Sequence, residues 1–157
     1  MNTEGLENIN TMFSVFHDGE IARCVKINSS LKFDVHIQYL AERINPAFRT
    51  FSIVLEGVED LNFTTWPDDS DAEPDVITDV ELIFTKELEI LSGEIENESI
   101  KVACNQPLPG LGYCGGFLNL KANSAVVKDE ARKEYSIEEL CSLSKSYWDE
   151  WSKRNKA

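Results

Sequence analysis

Leu31, Phe33, Val35, Ile37 and Tyr39 alternate with Lys32, Asp34, His36 and Gln38, the period-two pattern of a strand with one face on a core and the other in water. Phe51, Ile53 and Leu55 repeat it against Thr50, Ser52 and the apolar Val54, and Glu56-Gly57 closes that run. Asp60 to Trp66 is rich in strand formers and stops at Pro67, which cannot donate to a sheet ladder. Val76, Thr78, Val80, Leu82 and Phe84 alternate again, with Asp79 and Glu81 on the opposite face, and predict a strand over 76–84. Glu87 to Leu91 and Ser99 to Cys104 predict two more, joined near Gly93, while Phe117 to Leu120 and Ala125 to Val127 predict short returns to the sheet.

Turn chemistry punctuates these runs. Phe13 to Phe16 and Ile21 to Ile27 flank His17-Asp18-Gly19-Glu20, and Asp-Gly supplies the positive φ angles of a tight hairpin, so residues 11–27 are expected to form one. Leu40 to Ala47 starts as a helical turn and breaks at Asn45-Pro46, because proline restricts the residue before it. The stretch from Gln106 to Gly116 is crowded with proline and glycine and reads as a loop.

The period changes at the C-terminal end. Ser136 and Glu139 form a capping-box pair, and Ile137, Leu140, Cys141, Ser144, Tyr147, Trp148 and Trp151 follow one helical stripe. Lys145, Lys153 and Arg154 lie toward the negative end of that helix. It is expected to pack on an open sheet face with Trp148 as its deepest anchor. The whole reads as a mainly β fold of about seven to nine antiparallel strands, a β-sandwich or partly open barrel carrying a C-terminal amphipathic helix. A chain of 157 residues suits one domain, with its core over roughly residues 11 to 152.

Charge alters this picture more than composition does. Between Arg49 and Lys86 stand ten carboxylates and no lysine or arginine, within a chain of net charge -13. Such a surface repels polyanions, so nucleic acids and anionic membranes are not expected as direct partners, and a basic protein is. Asp60, Trp66, Asp68, Asp69, Asp71, Glu73, Asp75, Asp79 and Glu81 are the expected contacts, with Trp66 supplying an aromatic anchor among charges that select the partner. The N-terminal residues lack a secretory pattern, which makes the cytoplasm the expected compartment. Cys24, Cys104, Cys114 and Cys141 are too scattered to form a disulfide framework and read as free thiols, with Cys24, Cys104 and Cys141 in or beside the core.

The candidate chemistry is thin. Asp69, Asp71, Glu73 and Asp75 space themselves like the start of a calcium loop, yet Pro74 stands where the sharp turn needs glycine and Val80 where a bidentate glutamate is needed. No Cys-x-x-Cys or His-Glu-x-x-His spacing is present, so no metal or other cofactor is expected. His17 with Asp18, His36 with Asp34, and the thiol of Cys114 are the residues from which a hydrolase-like site would have to be assembled, but no catalytic spacing joins them. The leading expectation is therefore a small acidic intracellular binding protein, in concrete form an inhibitor or immunity protein for a basic toxin or nuclease. A structural subunit forming a homodimer is the second expectation and an enzyme the third.

Overall fold

The computed structural model describes residues 3–155. Its elements in chain order are β1 (Thr3–Glu4), α1 (Leu6–Val15), β2 (Glu20–Ile27), β3 (Ser30–His36), α2 (Gln38–Ala41), β4 (Thr50–Glu56), β5 (Glu59–Pro67), β6 (Val76–Ile77), α3 (Val80–Ile83), β7 (Leu88–Glu96), β8 (Ser99–Asn105), β9 (Tyr113–Lys121), β10 (Ser124–Lys128), β11 (Glu134–Tyr135) and α4 (Ile137–Arg154). The fold is mainly β, with an open sheet of 11 strands. Strand order is β1-β10-β4-β3-β2-β7-β8-β9-β5-β6, with β11 paired to β10. Neighbouring strands run antiparallel throughout.

The sheet has two halves that meet at a narrow seam. β2 and β7 pair only through Glu20 with Glu89 and Ile21 with Leu88, and the seam is extended by Asp18 N–H donating to the Ile90 carbonyl at 2.7 Å and Ile90 N–H donating to Gly19 at 2.8 Å. Of the alternating residues predicted to face inward, Leu31, Phe33, Val35, Ile37, Phe51, Ile53 and Leu55 are all buried, but the strand ends at His36, and Tyr39, expected to continue it, is half-buried in α2. The buried residues share one apolar cluster with Ile100, Val102, Leu118 and Leu120 of the other half. Removing these side chains from water is the main driving force for closing the halves around a common interior.

α1 fills that interior, where the sequence predicted the first strand of a hairpin. Leu6, Ile9, Met12, Phe13 and Phe16 recur at helical spacing, and the short apolar run from Phe13 to Phe16 viewed by itself conceals this period. Phe13 lies parallel to Phe33 at 6.2 Å and Phe16 tilts over Phe51 at 5.2 Å. The Asp18-Gly19 turn is real but joins α1 to β2; Asp18 has φ 70, and a Cβ on Gly19 would stand 2.6 Å from Val35.

Two other elements depart from their predicted form. Of residues 76–84, only Val76 and Ile77 are strand, because Asp79 caps α3 by accepting from Glu81 N–H at 2.9 Å and Leu82 N–H at 3.4 Å. The alternation there is incidental, since Val76 and Leu82 are both exposed. The β7–β8 hairpin turns at Asn97 and Glu98, whose φ angles are 53 and 62, the positive pair of a tight strand reversal. Gly93 lies inside β7, where a Cβ would meet the Asn10 side chain of α1 at 2.5 Å.

The C-terminal helix begins as predicted. Ser136 N–H donates to Glu139 Oε1 at 3.0 Å and Glu139 N–H donates to Ser136 Oγ at 3.1 Å. Its docking differs, because the sheet's inner face is already occupied by α1, and α4 packs on α1, α2 and β11 instead. Leu140, fully buried, is its deepest side chain. Trp148 is half-buried in an aromatic group, 5.3 Å from the His17 ring, 5.8 Å from Tyr39 and 5.0 Å from Tyr147. Cys104 is buried, Cys24 partly so, and Cys141 and Cys114 are exposed, all as free thiols; Cys141 thus lies outside the core it was expected to join. No described helix is long and apolar enough to cross a membrane.

A candidate protein-binding face

β5 delivers the acidic segment to one end of the sheet. Trp66 meets Phe117 edge to face at 5.1 Å, and it lies close on β9 because Gly115 has no Cβ, which would stand 2.8 Å from the indole. Pro67 ends the strand and the chain enters the acidic loop 68–75. Both ends of this loop are tied down. Asp68 N–H donates to the Gly112 carbonyl at 3.0 Å, and Asp75 N–H donates to Thr65 Oγ1 at 3.0 Å while Thr65 N–H returns a bond to the Asp75 carbonyl. Inside it, Asp71 N–H donates to Asp69 Oδ1 at 2.9 Å, the local side-chain turn that aspartate favours.

Asp68, Asp69, Asp71, Glu73 and Asp75 are all exposed. Among the described residues none of the five enters an ion pair. Asp79 and Glu81 follow at the start of α3, Asp79 occupied as its cap. Asp60 is not brought to this group: it stands at the opposite end of β5, about 20 Å of strand away from Trp66, where Lys121 approaches its carboxylate at 3.7 Å.

Sheet register adds residues that spacing along the chain conceals. Pro67 pairs with Tyr113, Gly115 with Asn105, Asn105 with Glu89, and Glu89 with Glu20, so all these strand ends lie on one rim. The glycine-rich loop there is shorter than predicted, since β9 already begins at Tyr113 and takes in both Gly115 and Gly116. Buried Gln106 clasps it, donating to the carbonyls of Leu108 at 2.8 Å and Tyr113 at 3.1 Å and accepting from Leu108 N–H at 2.6 Å. Leu108 and Leu111 are left exposed at its tip. Beside Leu108 a cavity of about 550 Å³ is lined by Glu20, Glu87, Glu89 and Lys86 among others.

The carboxyl group of Glu20 is pushed up from its ordinary 4.5 to about 7, first by a hydrogen bond shared with Glu87, then by burial and the charges of Glu87 and Glu89. The folded chain therefore keeps this proton at a pH where the unfolded chain has released it. The contribution of this group to stability falls as pH rises from about 4.5 to 7 and levels off above that. The Glu20→Gln variant is expected to match the parent chain near pH 4 and to exceed it by about 1 kcal/mol near pH 8, a figure reduced for solvent screening at this largely exposed site. Urea midpoints at both pH values measure the difference; an equal gain at both would remove the carboxyl pair as its cause.

The residues weighed for catalysis are dispersed. His17 lies under α4, its Nδ1 2.9 Å from the Ser14 carbonyl and its Nε2 4.0 Å from Asp18. His36 is exposed on β3, and Cys114 is on β9 with its Sγ 3.7 Å from the Trp66 carbonyl. Among the described residues no group of three or more His, Cys, Asp or Glu side chains gathers as a metal site would require. No protein-family model matches the chain, no curated protein matches it, and no solved structure matches it.

Proposed function

We propose that this chain is a small intracellular binding protein that receives a basic protein partner on the rim formed by loop 68–75, Trp66, Leu108 and Leu111, in concrete form an inhibitor or immunity protein for a basic toxin or nuclease. The observation that carries the reading is the anchored loop 68–75, whose five exposed carboxylates enter no described ion pair and which is hydrogen-bonded directly to the loop presenting two exposed leucines. Fixed charge of one sign accelerates encounter with an oppositely charged partner, and an ordered loop loses little entropy on docking. Apolar side chains beside it supply area to be desolvated at the centre of the contact.

Homodimerisation through sheet edges is the weaker alternative, because the strands at either end of the path, β1 and β6, are two residues long and offer little ladder to another copy.

Affinity purification from the source cell at low and then high salt tests the proposal. One basic protein is expected to be retained at low salt and released as salt screens the contact. The quadruple variant Asp68→Asn, Asp69→Asn, Asp71→Asn and Glu73→Gln, which keeps side-chain acceptors while removing charge, is expected to slow association with that partner about tenfold and to change dissociation little. Equal association rates for variant and parent would overturn the reading.

A further inference from the structure

Four cations of this acidic chain, Arg23, Lys32, Lys128 and Arg132, converge on the other half of the sheet. On the outer face of β2, β3, β4 and β10, one cavity of about 510 Å³ is lined by Arg23, Lys32 and Arg132 together with the hydroxyls of Thr50 and Ser52. A second, of about 250 Å³, shares Lys32, Ser52 and Arg132 with it and adds Lys128. The register explains the convergence. Lys32 stands between Val25 and Val54, and Ser52 between Asp34 and Lys128, while Arg132 reaches in from the turn joining β10 to β11, where its φ is 71.

Arg23 is brought there by a backbone irregularity. The β2–β3 register shifts between Ala22 and Val25, and Arg23 adopts φ 54, a left-handed conformation that costs a residue with a side chain of order 1 kcal/mol. Bulges of this kind re-aim a side chain. Here the guanidinium is thrown over the outer face, 4.0 Å from Asp34 and largely exposed.

Two carboxylates at the mouth are already engaged. Buried Asp129 accepts from Ala131 N–H at 2.8 Å, Lys133 N–H at 3.1 Å and the Tyr135 hydroxyl at 2.8 Å. Glu130 accepts from the backbone N–H groups of Arg49 and Thr50, and the Arg49 bond first of all holds its carboxyl below the ordinary range. Asp34 faces Arg23, and Glu134 lines the second cavity. Lys32 and Arg132 enter no ion pair among the described residues. In a chain with 28 acidic and 15 basic side chains, cations converging on a concavity with hydroxyl donors are placed to take an anion.

We propose that this groove binds a small polyanion, a molecule carrying two or more phosphoryl or carboxylate groups, held by Arg23, Lys32 and Arg132. Arg23, Lys32 and Arg132 line the first cavity beside Asp34, Asp129 and Glu130, so its net charge is near zero. Binding has to come from charge-assisted bonds that two or more anionic groups of one ligand make to the separate cations together. The size of the first cavity suits a metabolite-sized ligand. A long polyanion is disfavoured, because the rest of this surface repels it. The exposed Val25 and the half-exposed Val54 and Val126 flank the cations and give a ligand's carbon skeleton somewhere to lie.

The test is titration of the full chain with pyrophosphate and, separately, with citrate at about 50 mM salt, followed by amide chemical shifts and calorimetry. Saturable one-to-one binding is expected, with shifts confined to β2, β3, β4, β10 and the turn after β10. Lys32→Gln and Arg132→Gln are each expected to weaken it about tenfold, and Lys153→Gln on α4 to leave it unchanged. Both groove positions are exposed, and a thermal melt verifies that the variants fold. Binding of pyrophosphate alone identifies a phosphoryl ligand, and of citrate alone a carboxylate one. Failure of both to saturate by about 10 mM, weaker than metabolite affinities usually require, would overturn the site. So would groove variants that bind as the parent does. The acidic-loop variant is expected to bind these probes undiminished, so failure of either proposal leaves the other standing.

Discussion

Gly116→Ala is expected to lower the unfolding free energy by about 3 kcal/mol, at the upper end of what overpacking costs. A Cβ at this position would stand 2.3 Å from the Thr64 carbonyl oxygen and 2.5 Å from the Phe63 ring, both far inside contact distance. Neither neighbour has room to yield. Gly116 is paired with Thr65 on one side and Cys104 on the other, so moving its backbone breaks two ladders, and Phe63 is itself fully packed in the core. Urea denaturation should show a lower midpoint with an unchanged slope. A loss below about 0.5 kcal/mol, the scale of an ordinary surface substitution, would mean that the β5–β9 ladder is not packed as described. The same ladder seats Trp66 and the start of the acidic loop, so the variant also measures how rigidly the proposed partner face is held.

Leu140→Ala is expected to cost about 3 kcal/mol, within the range for truncating a buried leucine, and to lower the melting temperature by roughly 6 to 12 °C. Leu140 is the one side chain of α4 that is wholly inside, so its truncation removes the helix's deepest burial and leaves a cavity behind. Amide exchange should report the loss first in α4, the element that Leu140 pins. A midpoint equal to that of the parent would show that the aromatic contacts of Trp148 hold the helix without it.

These two positions also mark where reading along the chain succeeds and where it stops. The strands of residues 30–36 and 50–56 follow from their alternation, because burial of one face imposes its period directly on the residues. The start of α4 follows from Ser136 and Glu139, because a cap is satisfied by atoms three residues apart. α1 is obscured by the strong Asp-Gly signal, which is a turn signal and does not specify what precedes the turn. In residues 76–84 a single cap, Asp79, outweighs an alternation whose apolar members are not all buried. The choice of Leu140 over Trp148 depends on α1 occupying the sheet's inner face, a non-local fact that no helical stripe contains.

The candidate sites divide in the same way. The acidic segment is legible because its charges lie close together along the chain, whereas Glu20 meets Glu87 and Glu89 only through strand pairing. Arg23, Lys32 and Arg132 are separated along the chain and meet only because β2, β3 and the β10–β11 turn share one surface. The amino-acid order by itself determined a mainly β, strongly acidic chain with one capped terminal helix, since these properties arise from neighbours a few residues apart. Which carboxylates share a rim, which cations line a groove, and which side chain pins α4 were decided by the tertiary structure, because hydrogen-bonded register and competition for a single core act between residues that the sequence keeps distant.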